Sequence, residues 1–223
     1  EEGAFSTAAL AALWGEDDPD VAADAARFLA GASLLERAEG DRWRQHTLLR
    51  AYALALLRRE GEDTAARDRH FAWHAAEYGD AARNQPEAAP GRHRQIAADF
   101  DNIRHALAHG FAATPEAAGD LVDALDNSYL QFDQPPAARR ALLDGALTAV
   151  RQAGYARGEA NTLKALGDLE IREDHYGAAR ARYEAALPLY QAIPDRLGEA
   201  NTLRVLGDLE RMEDHYGAAR ARY

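Results

Sequence analysis

The chain has 223 residues, contains no cysteine and carries a formal net charge of −11. This length fits one large or two modest domains, and without cysteine neither disulfides nor thiolate metal sites can form. The negative charge argues against nucleic acid as the main partner, because phosphate neutralisation needs a basic face. The sequence shows no apolar run long enough to span a bilayer and no signal peptide, so the expected compartment is the cytoplasm.

The beginning of the chain predicts two helices followed by a β-hairpin. Ser6-Thr7 offers a cap for a short first helix. Asp18-Pro19 is typical of the cap and first turn of a second helix, which we expect to extend to about Ala32. Residues 33–37 and 42–46 are spaced as two strands joined by a tight turn.

A third helix is predicted after the hairpin, capped by Thr47 and ended by Gly61. Its apolar stripe would consist of Leu49, Tyr52, Ala53 and Leu56. Helix, helix, hairpin and helix follow in the order of a winged-helix domain. We therefore assign a winged-helix domain to residues 1–61.

The stretch from Ala8 to Leu57 resembles the winged-helix domain that follows the nucleotide-binding core in NB-ARC proteins of the signal-transducing ATPase (STAND) class. That family carries a methionine-histidine-aspartate motif at the end of the hairpin, and the histidine contacts the phosphate of bound ADP. Gln45, His46 and Thr47 stand at these positions, so only the histidine matches. The resemblance implies a nucleotide-sensing role for His46 in the full-length protein, whose own nucleotide-binding domain would hold ADP or ATP with Mg. No cofactor is expected in this chain itself.

Residues 62–113 predict a helical linker. One helix is expected from about Thr64 to Ala82, followed by a loop from Asn84 to Gly91. A second helix, from about His93 to Phe111, has a clean amphipathic pattern. Its apolar positions are Ile96, Phe100, Ile103 and Leu107. The segment AADFDNIRHAL within it resembles the connection between winged helix and repeats in bacterial STAND regulators.

The last part of the chain repeats itself at a spacing of 40 residues. The stretch Gly158–Tyr183 returns as Gly198–Tyr223 with 22 of 26 positions identical. A fixed period of this length indicates an array of similar units that pack against their neighbours. We expect each unit to form two antiparallel helices, with a break at Glu173-Asp174 in the first unit. Pro188 predicts a bend or early loosening of the second helix, and Ile193-Pro194-Asp195 is expected to end the unit.

The core of the repeat can be predicted from its apolar spacing. The first helix would bury Leu163, Leu166 and Leu169, and the second would bury a stripe of Tyr176, Ala179, Tyr183, Ala186, Leu187 and Tyr190. A glycine inside a helix costs about 1 kcal/mol relative to alanine. Because Gly167 recurs as Gly207, we expect a neighbouring helix to pass too close to both positions for a side chain.

These features resemble a tetratricopeptide repeat (TPR) of the longer, 40-residue kind. The resemblance is carried by Leu163, Leu166-Gly167, Gly177, Ala179, Tyr183 and Ala186-Leu187. We accordingly expect a mainly α-helical chain in which the winged-helix domain and helical linker lead into an α-solenoid over residues 114–223. Its units would be a degenerate repeat (114–154), a full repeat (155–195) and a truncated repeat (196–223). The degenerate unit keeps only the spacing. Counting back 40 residues, Asn127 stands at the position of Gly167 and Leu143 at that of Tyr183.

In tetratricopeptide arrays the first helices line a concave groove that holds a protein or peptide. The resemblance therefore implies that such a partner binds residues on the first helices of the two similar repeats. These residues, called the polar face below, are Asn161, Lys164, Asp168, Arg172, Asn201, Arg204, Asp208 and Arg211. The family's asparagines before Leu-Gly are replaced here by Lys164-Ala165 and Arg204-Val205. The repeats differ only at 164/204, 165/205, 171/211 and 172/212, which fits either a face tuned to a partner or neutral drift at exposed positions.

Catalytic motifs are missing from the sequence. It contains no phosphate-binding loop, nucleophile elbow or cysteine-histidine pair, so we expect no enzymatic activity from this chain alone. The pairs His70/His74 and His105/His109 have helical spacing suitable for a metal, but no third ligand is evident beyond Glu77 or Asp101, and we assign no metal site. Acids in the second predicted helix outnumber Arg27, which argues against DNA reading.

Three functions remain open from the sequence. The first is a non-catalytic regulatory arm of a STAND-type NTPase, in which the repeats receive a protein or peptide signal and the winged helix packs on the nucleotide-binding domain. The second is a DNA-binding transcriptional regulator with a ligand-sensing repeat region, and the third is a free-standing adaptor scaffold. The truncated repeat also predicts an exposed apolar face near Leu209 and Tyr216, through which two copies would associate.

Overall fold

The computed structural model describes residues 3–16, 18–80, 91–193 and 195–220, with side chains described as far as residue 212. The chain is mainly helical with a small three-stranded antiparallel sheet. It divides into two compact units, residues 1–114 and residues 115–223.

The first unit contains the sheet. Its elements in order are β1 (Phe5–Ser6), α1 (Thr7–Trp14), α2 (Pro19–Gly31), β2 (Glu36–Arg37), β3 (Arg42–Arg44), α3 (Thr47–Glu60), α4 (Asp63–Tyr78) and α5 (Arg92–Ala113). The second unit contains α6 (Pro115–Leu125), a π-helical turn (Asp126–Leu130), α7 (Gln131–Asp133), α8 (Pro136–Ala153), α9 (Ala156–Arg172), α10 (Tyr176–Ala192) and α11 (Arg196–Arg220).

Helix caps explain where the first helices begin. The Ser6 hydroxyl accepts a hydrogen bond from the backbone N–H of Ala9, and the Asp18 carboxylate accepts one from Asp20, so both predicted caps are confirmed. For α3 the prediction of Thr47 as the cap is wrong. His46 has an extended backbone and its Nδ1 accepts from the N–H of Leu48 at 3.3 Å, which leaves Thr47 as the first helical residue.

The sheet has the order β1-β3-β2, with β3 between the other two strands. The predicted hairpin is confirmed as β2 and β3, although both strands are shorter than expected. Ser33, where the first strand was predicted to begin, has a positive φ of 60° and lies outside the sheet. Strand β1 was not predicted, since two residues are too few to show an alternating pattern. Trp43 pairs with Phe5 and donates its indole N–H to the Thr7 hydroxyl, which anchors the sheet on α1.

Helices α4 and α5 pack against each other. Helix α4 ends at Tyr78, about four residues earlier than predicted, with Gly79 as its C-cap. The predicted loop lies outside the described residues except for Gly91, which has a φ of 88° before α5. Of the predicted apolar positions of α5, Ile96, Ile103 and Leu107 are fully buried and Phe100 is half-buried.

The helices α9 and α10 form an antiparallel hairpin. Hydrogen bonds join Tyr190 to Asn161 and Tyr183 to Asp168, so residues late in α10 meet residues early in α9. The predicted break is confirmed, with Asp174 in a left-handed conformation. The three leucines of α9 are buried, as are Ala179, Tyr183, Ala186 and Tyr190 of the predicted stripe, whereas Tyr176 and Leu187 are half-buried. Helix α10 continues through Pro188 to Ala192 with Ile193 as its C-cap, where the end of the unit was predicted.

The two recurring glycines have different surroundings. A Cβ placed on Gly167 would lie 2.9 Å from the Tyr183 ring, which confirms that a neighbouring helix passes close to this position. A Cβ on Gly207 would meet no described atom within 4 Å. The prediction of close packing is therefore wrong for Gly207 as far as the described residues extend, and Tyr223, its counterpart to Tyr183, lies outside them.

The last repeat does not form the predicted helical hairpin in the described residues. Helix α11 continues without a break from Arg196 to Arg220, through the positions that correspond to the Glu173-Asp174 turn. A continuous helix keeps its backbone hydrogen bonds and avoids a non-glycine residue with positive φ, which costs about 1–2 kcal/mol. Leu209 is 1% exposed against Ala179 and Tyr183, so the expected exposed apolar face does not include it. The side chain of Tyr216 lies outside the described residues.

The degenerate repeat is built differently. Asn127, the counterpart of Gly167, lies in the π-helical turn between α6 and α7, whereas Leu143, Ala146 and Leu147 of α8 are buried at the predicted spacing. Leu143 stands where the next unit has Tyr183. Because leucine is smaller than tyrosine, residue 127 can carry a side chain where the next unit needs Gly167. A buried ion pair between Arg139 and Asp126, 2.6 Å apart, fastens α8 to the π-helical turn.

Candidate functional site

Asn161 begins the polar face on α9 and is half-buried. Its side-chain amide donates to Asp123 Oδ2 at 3.1 Å, and its carbonyl oxygen accepts from the Tyr190 hydroxyl at 2.8 Å. Burial raises the pKa of the Asp123 carboxyl, and the nearby charge of Asp126 raises it further. Asn161 thus links α6 with α10, and its hydrogen-bonding groups are directed to neighbouring helices.

Lys164 and Asp168 lie one helical turn apart on α9. The Lys164 ammonium is 3.0 Å from Asp168 Oδ2, while the other oxygen of Asp168 accepts a 2.6 Å hydrogen bond from the Tyr183 hydroxyl. Burial raises the pKa of Tyr183, and the Asp168 charge adds to this effect. Because the side chain of Lys164 is 30% exposed and that of Asp168 is 36% exposed, both still border solvent.

Arg172 at the end of α9 contacts the preceding repeat. Its guanidinium donates to the backbone carbonyl of Gln131 at 2.7 Å and to the Gln131 side chain at 2.9 Å. The predicted partner-binding residue therefore holds α9 against α7. Its side chain remains at the surface, so it can still contribute charge to an adjacent surface.

The part of the polar face that lies on α11 is more exposed to solvent. The side chains of Arg204 and Arg211 are 67% and 76% exposed, and both form ion pairs with Asp208, which is 40% exposed. Asn201 is half-buried. Two large apolar side chains of the same helix, Leu203 and Met212, are also exposed. Exposed charged pairs contribute little to stability, so this half of the polar face has more freedom to meet a partner than the half on α9.

The positions that differ between the two repeats are not all at the surface. Ala165 is 6% exposed and its counterpart Val205 is half-buried, so this difference belongs to packing. Lys164 and Arg204 are more exposed, and both remain basic. Arg172 and Met212 are exposed and differ in charge. The chemical difference between the two halves of the polar face is therefore concentrated at the end of α9 and at the matching positions within α11.

A cluster that sequence reasoning missed surrounds the turn after α9. Arg140 of α8 forms ion pairs of 2.7 and 2.6 Å with Glu170 and Glu173, and His175 lies 3.1 Å from Glu170. The Arg140 guanidinium lowers the pKa of Glu170. Within the described residues, Glu170, Glu173 and His175 are the group close enough to share a metal ion, but Arg140 already supplies their cation. The cluster is better explained as the fastening of the turn to α8, and no local pattern signals it because Arg140 lies 30 residues before Glu170.

The histidine pairs do not converge on a common ligand. His109 Nε2 lies 2.7 Å from Asp68, and the His105 ring contacts the backbone carbonyl of Asp101 at 2.7 Å. The rings of His70 and His74 meet edge to face with centroids 4.4 Å apart. His46, the predicted nucleotide-sensing residue, is exposed at the end of the hairpin, with its Nδ1 engaged in the cap of α3.

Comparison with protein-family models and with curated proteins returns no match to this chain. Among the described helices, none combines the length and the apolar character that crossing a membrane requires.

Proposed function

We propose that the chain is a non-catalytic sensor arm of a STAND-type NTPase, in which helical repeats of the tetratricopeptide kind bind a protein or peptide signal. The observation that carries this proposal is the α9–α10 hairpin, in which Tyr183 packs on Gly167, together with a sequence that recurs 40 residues later. Successive helices α8, α9, α10 and α11 pack against one another in chain order. That arrangement supports a repeat scaffold, because each unit of such a scaffold buries its apolar side against its neighbours.

The proposed binding surface is the polar face, and its α11 half is the part best suited to a partner. Arg204, Asp208 and Arg211 are exposed beside Leu203, so a mixed apolar and charged segment would find both kinds of contact. On α9 three side chains of the polar face, Asn161, Asp168 and Arg172, are engaged with α6, α10 and α7. We infer that they shape the scaffold under the partner and supply fewer direct contacts.

For the first unit we propose a winged-helix domain that packs on the nucleotide-binding domain of the full-length protein. The sheet order and the helices around it support this assignment. Large apolar side chains are exposed on α2 and α3, and we propose that they form part of the surface that packs on that domain. They are Val21, Phe28, Leu48 and Tyr52, which are between 51% and 76% exposed.

A sequence determination tests the STAND assignment. The full-length protein is expected to contain a phosphate-binding loop of the Gly-x-x-x-x-Gly-Lys-Ser/Thr type before Glu1, because ADP or ATP with Mg would bind there. His46 would then approach the nucleotide phosphate from the end of the hairpin. A full-length sequence without that loop would refute this assignment while leaving a free-standing adaptor scaffold as the alternative.

DNA binding distinguishes the sensor arm from a transcriptional regulator. Helix α2 exposes Asp20 and Asp24, and its Arg27 is paired with Asp24, so it offers little positive charge to phosphate. We expect no salt-dependent binding when the chain is titrated into labelled duplex DNA. Binding that weakens steeply with salt would favour a transcriptional regulator instead.

A further inference from the structure

The first unit contains a cavity of about 430 Å³. None of the sequence motifs described above predicted it. Its apolar wall is formed mainly by α1 and α3, through Leu10, Leu13, Trp14, Leu54 and Leu57. The polar groups of the lining include Arg50, which lies on α3 one turn before Leu54, and His70 of α4. This volume lies within the range of small-molecule sites, which are typically apolar with a few polar groups that orient the ligand.

Helix α3 covers this cavity without a packed core of its own. None of its residues is fully buried, although Ala53, Leu54 and Leu57 are turned toward the cavity and half-buried. Apolar side chains gain free energy when they are removed from water. A ligand with an apolar body would therefore complete the burial that the protein leaves unfinished beneath α3.

The charge of the lining favours an anion. No aspartate or glutamate lines the cavity, although the chain as a whole is acidic. Arg50 forms no ion pair or hydrogen bond within the described residues, whereas Arg42 and Arg92 of the same unit are paired with Asp99 and Glu77. An arginine beside an apolar space is the preferred partner for a carboxylate, since its guanidinium can donate two parallel hydrogen bonds.

Two histidines of the lining, His70 and His74, have lowered pKa values and add hydrogen-bonding groups to it. The pKa of His70 is lowered to about 3, mainly by burial and also by the charges of His74, His105 and Arg50. The charge of Asp99 has the opposite effect. His74 is 1% exposed; its Nδ1 donates to the carbonyl of His70, and its Nε2 is buried without a hydrogen-bond partner among the described residues. Arg50 is thus the fixed positive charge of the lining, which suits a monoanion better than a phosphate.

We propose that this cavity binds a small monocarboxylate with an apolar body. The carboxylate pairs with Arg50 and accepts a hydrogen bond from the neutral His70, and the apolar body packs against Leu10, Leu54 and Trp14. This site is separate from the polar face and does not depend on the function proposed for it. It gives the first unit a ligand of its own.

Binding can be followed directly by tryptophan fluorescence. The three tryptophans, Trp14, Trp43 and Trp73, all lie in the first unit, and Trp14 lines the cavity. We expect decanoate, used below its micelle concentration, to bind at least about tenfold more tightly than decanol because it gains the charge-assisted contact with Arg50. Decyltrimethylammonium should bind most weakly.

Two variants locate the ligand. Arg50→Gln should weaken decanoate binding by about 10- to 100-fold and leave decanol binding unchanged within about twofold. Arg58→Gln, on the same helix but outside the lining, is the matched control and should bind decanoate as the unchanged chain does. Ala53→Trp should fill the cavity and abolish binding of both ligands, with circular dichroism confirming that the fold is retained.

Nuclear magnetic resonance gives an independent measurement. Bound decanoate should raise the pKa of His70, because a nearby anion stabilises the protonated ring, whereas decanol should not. The proposal is overturned if decanoate does not bind, if Arg50→Gln and Arg58→Gln affect it equally, or if Ala53→Trp retains binding. Equal affinity for decanoate and decyltrimethylammonium would overturn it as well.

Discussion

At the scale of single residues, identical side chains in identical sequence contexts have different physical roles. Gly167 and Gly207 occupy the same place in the repeat, but the first faces the buried Tyr183 ring and the second faces open space within the described structure. Alanine favours a helix over glycine by about 1 kcal/mol, whereas overpacking a buried contact costs about 1–3 kcal/mol. We therefore expect Gly167→Ala to be about 1–3 kcal/mol less stable than Gly207→Ala.

Urea unfolding followed by circular dichroism measures this difference, and Gly207→Ala serves as the matched control. Gly207→Ala should be slightly more stable than the unchanged chain because it gains helix propensity. Equal stability of the two variants would show that the Tyr183 ring does not restrict residue 167.

His70 predicts a specific pH dependence of stability. In the folded chain its pKa is lowered to about 3, while the unfolded chain takes up the proton near 6.5. Between these values the unfolded state binds more protons, so the free energy of unfolding falls as the pH decreases below 6.5. His70→Gln removes this titration and should lose less stability between about pH 7.5 and pH 5.8.

Urea midpoints measured by tryptophan fluorescence report on the first unit and test this prediction. The prediction is wrong if His70→Gln and the unchanged chain lose equal stability on acidification.

At the scale of elements, the junction between the π-helical turn and α8 depends on a buried ion pair. Arg139 and Asp126 are 2% and 4% exposed and are joined by two hydrogen bonds, and Arg139 also reaches the carbonyl of Ala165. Removing one member of such a pair leaves a buried charge and costs about 3–5 kcal/mol. We expect a loss of that size for Arg139→Met in chemical unfolding.

The same helix offers a control for this prediction. Arg151 forms an ion pair with Glu159 at the surface, and Arg151→Met should cost less than about 1 kcal/mol. Adding Asp126→Leu to Arg139→Met should recover most of the lost stability, since no buried charge then remains. A double variant as unstable as Arg139→Met alone would contradict this explanation.

Local patterns predicted the elements well where the signal lies within one stretch of chain. Leu163, Leu166 and Leu169 identified the buried side of α9, and Ser6 and Asp18 located the starts of α1 and α2. The continuous helix α11 was not predicted, because the sequence of its turn is identical to that of the first repeat. In the first repeat, the turn is also held by Arg140, which lies on another helix.

Functional sites were harder to predict because they combine distant segments. The cavity lining extends from Gly3 to His105, and no spacing within one helix reveals it. The polar face was predicted as a row of free side chains, but Asn161 and Arg172 are engaged by Asp123 and Gln131. A sequence shows which residues share a helical face, whereas their partners depend on the packing of other helices.

At the scale of the whole molecule, the two units carry different surfaces. The first unit has exposed apolar groups on α2 and α3 and a cavity beneath α3. The second has the polar face on α9 and α11. A signalling arm requires both properties, because it must contact its own nucleotide-binding domain and receive a partner. In the proposed function, these two tasks belong to different units of one chain.

The central claim is that the α11 half of the polar face binds a protein or peptide. The partner is first captured with the unchanged chain. The most direct measurement is then the affinity of that partner for two double variants, each of which removes one basic and one acidic side chain. We expect Arg204→Ala with Asp208→Ala to weaken binding at least about tenfold, while Arg182→Ala with Glu184→Ala on α10 leaves it unchanged. Equal affinities of the two double variants for that partner would contradict the account.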